Sequence, residues 1–131
     1  MDSRILDELY LKARRLYIKL VEFEDISRQL AEAVNRKDEV SVQMLLNMRA
    51  EPANQLEEIQ QGLRQQVLDL PEEDAIRARE ILEGGEAQDA NEAALCGQVS
   101  QNRRLLLRCQ ETDKRISMGL DSRRSFYSKY R

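Results

Sequence analysis

The chain has no histidine and no tryptophan, and aromatic residues occupy only 5% of its 131 positions. Without histidine there is no imidazole to act as general base or zinc ligand, so the Ser-His-Asp and Cys-His constellations are excluded. Few aromatic or β-branched runs occur, which disfavours a sandwich or a doubly wound sheet and favours a thin helical bundle. Cysteine is equally sparse. Cys96 and Cys109 are too far apart for a CxxC site, and on one helix they would stand roughly 20 Å apart, beyond disulfide reach. They read as small, reduced, apolar residues of a cytoplasmic protein. No apolar run approaches the roughly 18 residues of a membrane span. The N-terminus is charged from Asp2 onward, which reads as lacking a secretory signal. Nor is there a glycine-rich phosphate loop, because acids follow Gly84-Gly85 where a Walker loop needs lysine and a hydroxyl residue.

What is present is charge and helical period. The chain is 41% hydrophobic and 34% charged with a formal net charge of −3, which suits one helical domain with a modest core. From Leu6 to Val34 the residues Leu6, Leu9, Ala13, Leu16, Leu20, Phe23, Ser27, Leu30 and Val34 alternate spacings of three and four. That is a heptad seam on a long helix, begun by Asp2 or Ser3 as cap and ending near Asn35. Such a stripe needs partners, since apolar area left in water forfeits about 25 cal/mol per Å². Arg36 and Lys37 suit a helix C-terminus, and Asp38 suits the cap of a second helix, so the first two helices form a tight antiparallel hairpin.

The second stripe runs through Val42, Leu45, Leu46, Met48, Ala53, Leu56, Ile59, Leu63, Val67 and Leu70. Pro52 predicts a kink or a break near Glu51, because its ring clashes with the carbonyl four residues back. Pro71, followed by Glu72, Glu73 and Asp74, opens a short third helix that stops before Gly84-Gly85. Nine acids against Arg77 and Arg79 between Asp69 and Glu92 read as a solvated connector. A last long helix, begun between Asp89 and Asn91 and running to about Leu120, carries Leu95, Val99, Leu105, Leu106, Cys109, Ile116 and Leu120 on its apolar face. Asn102 and Asp113 fall near that stripe and need partners if buried.

The expected fold is therefore all-α: a long antiparallel helical hairpin plus a third long helix, in an elongated three-helix bundle or coiled coil with a short connector helix. Residues 1–121 form the single bundle domain and 122–131 a basic, aromatic tail. Three long stripes exceed what one hairpin covers, which is compatible with a homodimer.

No catalytic constellation is legible, so the chain reads as a non-enzyme without cofactor or metal. Glu72, Glu73 and Asp74 are consecutive on a helix and point in different directions, so they fit a helix-start charge effect better than a cation site. Glu22, Glu24 and Asp25 read as a solvated flank. The segment with Phe126, Tyr127 and Tyr130 among Arg123, Arg124, Lys129 and Arg131 has residue types that contact nucleic acid. The acidic connector disfavours that reading against a partner-binding segment or one folded onto the bundle.

The run QVSQNRRLLLRCQ, with Asn102 shortly before Leu105 and Leu106, and the FYS of Phe126 to Ser128 about twenty residues later resemble the C-terminal helix and tail of the FlgN-like flagellar export chaperone family. The opening hairpin is similar to that family's as well, with Ala33, Lys37 and Asp38 around the cap and the pair Leu45-Leu46 beyond it. Members tend to have a glycine soon after the tail tyrosine, whereas here Lys129, Tyr130 and Arg131 follow. The resemblance implies a cytoplasmic type III export chaperone that binds C-terminal helical segments of the hook-filament junction proteins, prevents premature assembly and delivers them to the flagellar export apparatus. Carried onto this sequence, the binding residues are Leu105, Leu106, Ile116, Met118, Leu120, Phe126 and Tyr127, with core packing the competing role of Leu105, Leu106 and Ile116. The competing function is a self-associating coiled-coil scaffold or adaptor with no chaperone role.

Overall fold

A computed structural model describes the backbone of residues 1–129 and the side chains of residues 1–121. Among them the fold is all-α, with α1 (Ser3–Asn35), α2 (Glu39–Leu68), α3 (Glu72–Leu82) and α4 (Ala93–Lys129).

Local chemistry sets the boundaries. The Asp2 carboxylate accepts from the Arg4 amide at 2.9 Å and caps α1. At the other end Lys37 adopts φ +59°, which lets the Asp38 amide donate to the Ala33 carbonyl at 3.0 Å and the Lys37 amide to the Val34 carbonyl at 3.1 Å. This is a Schellman closure. Asp38 then accepts from the Ser41 amide at 3.2 Å and from the Ser41 hydroxyl at 2.6 Å, capping α2 as expected. Those two hydrogen bonds hold the Asp38 carboxyl below the usual range. Gly84, at φ +103°, closes α3 in the same way: its amide donates to the Ile81 carbonyl and that of Gly85 to the Glu80 carbonyl.

The central element is α1. It packs against α2 on one side and α4 on the other, and no Cα of α2 comes within 8 Å of one of α4 among the described residues. α4 runs parallel to α1: the Asn102 amide donates to the Ala13 carbonyl, Thr112 meets Glu24, and Gly119 lies against Val34. Flanking on two sides widens the buried stripe beyond a heptad seam. Leu6, Leu9, Ala13, Leu20, Ser27, Leu30 and Val34 are buried as the spacing predicts, and Glu24, Ile26, Ala31 and Ala33 join them. Glu24 is thus a buried residue and not part of a solvated flank.

Three clusters follow along the axis. The lower one joins Leu6, Leu9 and Ala13 to Leu63, Val67, Ile81, Leu95 and Val99. Leu20, Leu105 and Cys109 form the middle one, and Leu30, Val34, Val42, Leu45 and Ile116 the upper one at the hairpin turn.

Four boundaries or placements differ from the sequence reading. Of the kink or break expected near Glu51 the break is absent: α2 runs as one helix through Pro52, whose ring is fully buried. Leu46 and Met48 face outward and contribute little to the α2 stripe. α3 is a core element and not a solvated connector, because Ala75, Ala78 and Ile81 are buried in the lower cluster while its acids face water. α4 begins at Ala93 and continues as helix to Lys129, into the segment that composition set apart as a tail. Among the described residues no helix is long and apolar enough to cross a membrane.

Candidate functional site

α4 carries the residues that the sequence singles out, and its register on α1 divides them. Leu105 lies in the middle cluster with Leu20 and Cys109, and Ile116 in the upper one with Leu30 and Val34. Both are buried and hold α4 against α1, the core-packing role that competes with a binding role for them. Leu120 is half-buried against the upper cluster. Leu106 is 39% exposed and Met118 69%. Phe126 and Tyr127 lie outside the described side chains. Sequence reasoning missed Leu107, which is 60% exposed and sits eleven residues before Met118, about three turns away on the same face. The signal was the run Leu105-Leu106-Leu107, since no single helix face can bury three consecutive leucines.

The polar residues near the stripe find partners. Gln98 donates to the Asn102 carbonyl oxygen at 3.0 Å, and Asn102 donates to the Ala13 carbonyl at 2.9 Å, which fixes the stagger of α4 on α1. Asp113 pairs with Arg49 of α2, whose guanidinium also lies 4.6 Å from the centre of the Phe23 ring. Arg49 thus bridges the space between α2 and α4 above α1. Burial, with Glu24 alongside, pushes the Cys109 thiol up to about 12, so it is neutral and unreactive. Burial also raises Cys96, and both cysteines are free thiols.

Below the Arg49 bridge the separation of α2 and α4 leaves an open groove of about 280 Å³. Leu16 and Leu20 of α1 floor it, Leu63 lines one wall, Val99 and Leu106 the other, and Leu82 of α3 closes its lower end. Among the described residues its charged lining side chains are Arg64 and Arg103. A more polar hollow of about 390 Å³ lies between α1 and α4, where Arg28, Arg108 and Arg115 are offset by Glu24 and Glu111.

The start of α4 is tied to α3 by a two-point pair: Arg77 Nη2 donates to Glu92 Oε1 at 2.6 Å and Nε to Oε2 at 3.0 Å. The Arg77 guanidinium holds Glu92 down at about 2. Among the described residues no group of acidic or cysteine side chains is placed to hold a metal ion. On α1, Leu11, Ile18 and Val21 form an exposed apolar stripe that neither α2 nor α4 covers.

Compared with known proteins, the chain matches no family model, no curated protein and no solved structure.

Proposed function

We propose that the chain is a non-enzymatic, cytoplasmic type III export chaperone of the FlgN-like kind. It binds C-terminal helical segments of hook-filament junction proteins, keeps them from assembling early and delivers them to the flagellar export apparatus. The observation that carries this reading is the surface of α4, where Leu106, Leu107 and Met118 stand exposed on a helix that continues past Gly119, the residue that meets the end of α1. A segment that is disordered alone gains from laying an apolar helix face on such a surface. The resemblance adds Leu120, Phe126 and Tyr127 to the binding residues, while Leu105 and Ile116 anchor the helix from behind.

Coexpression with the hook-filament junction proteins of the same genome tests it. Copurification of a junction protein, weakened about tenfold by Met118→Asp without loss of helix content, is the expected result; copurification of none rejects the reading. The stripe of Leu11, Ile18 and Val21 favours a second reading, self-association as a scaffold. A compact monomer at micromolar concentration in sedimentation rejects that one.

A further inference from the structure

We infer that the groove between α2 and α4 is a docking slot for a partner's amphipathic helix whose apolar stripe is bordered by acidic residues. This rests on the reading of the chain as a helix-binding protein and adds the place and the chemistry of the bound helix.

The groove is the upward continuation of a position that α3 fills below. α3 runs between α2 and α4, from Asp74 beside the Met1 amino group to Leu82 at the groove's lower end. Its inward residues Ala75, Ala78 and Ile81, spaced by three, pack into the lower cluster between α2 and α4, and Glu72, Glu73 and Glu80 face water on the other side of the helix. α3 stops there because Gly84 and Gly85 turn the chain back. Above it the slot has the same floor and walls and no occupant from the described residues, so a three-helix layer stands where a four-helix layer stands below. An α3-like helix is the shape that completes it.

Charge selects among such helices. Arg64 on α2 and Arg103 on α4 are the groove's charged lining residues, and neither has an ion-pair partner among the described residues. Arg103 lies close over Gly84, where a Cβ would sit 3.1 Å from its Nε. Two arginines on facing walls favour a helix with carboxylates on both borders of its stripe. The segment 122–131 of this chain carries Arg123, Arg124, Lys129 and Arg131 and no acid, so it is mismatched to the slot.

The test uses two fluorescent 21-residue synthetic helical peptides with the same leucine stripe, one flanked by glutamates and one by lysines, titrated against the full chain by anisotropy. The glutamate peptide is expected to bind and the lysine peptide to bind at least about tenfold more weakly. Arg64→Glu with Arg103→Glu inverts that order, and Leu106→Asp abolishes both, with circular dichroism confirming that each variant is folded. Equal binding of the two peptides, or binding indifferent to these variants, overturns the inference. So does a dimer in sedimentation that Leu106→Asp dissolves, because a second copy then fills the slot. Junction proteins that copurify equally with wild type and Leu106→Asp leave the chaperone reading standing and remove the slot from it.

Discussion

Glu92 shows how one carboxylate joins two elements. Its pKa near 2 in the fold lies below the 4.5 of a free glutamate, the direction in which a folded carboxylate contributes stability above its unfolded pKa. The Arg77 pair therefore acts in full above pH 4.5 and is lost as pH falls through about 2. Glu92→Gln is expected to cost about 1–3 kcal/mol at pH 7, with the gap to wild type narrowing in urea titrations below pH 4. Gly119 fails differently. A Cβ there would lie 2.5 Å from Val34 Cγ1, so Gly119→Ala should destabilise by about 1–2 kcal/mol although alanine is the better helix former. Val34→Ala in the same chain should recover part of that loss in a thermal double-mutant cycle. Asn102 was legible in the sequence as a polar residue in an apolar stripe. Glu92 was not, because Arg77, which makes it a structural residue, sits on another helix.

At the scale of elements, the boundaries that follow local chemistry were readable: the Asp2 and Asp38 caps, the turn at Lys37 and the stop at Gly84 all rest on adjacent residues. That α2 runs on past Pro52 without a break was not readable, since the sequence carries the proline's penalty but not the tertiary packing around it. Pro52→Ala restores the amide and recovers part of roughly 3 kcal/mol of helix propensity, while trimming the buried ring forfeits a smaller amount, so the rest of the α2 packing, and not the ring alone, is what carries the helix through the proline. A net gain of about 1–2 kcal/mol in denaturant unfolding is expected. α3 was misjudged for a related reason. Its acids dominate the composition, while Ala75, Ala78 and Ile81, three small or branched residues, decide its place.

For the molecule as a whole, the long first seam is answered from two sides, and that is what leaves an open groove between α2 and α4. Had α2 and α4 met, the bundle would have closed over α1; instead they stand apart, bridged at one level by Arg49 and Asp113 and filled at another by α3. The seam from Leu6 to Val34 announced that partners were needed, but the number of flanking helices and the gap between them depend on long-range packing that periodicity does not encode. Hydrogen–deuterium exchange of the chain with and without the C-terminal helical segment of a hook-filament junction protein tests the chaperone reading most directly. Slowed exchange along α4 from Leu106 to Leu120, joined by α2 around Arg64, is the expected result. Exchange that does not change, or slows only over Leu11 to Val21 of α1, would contradict it.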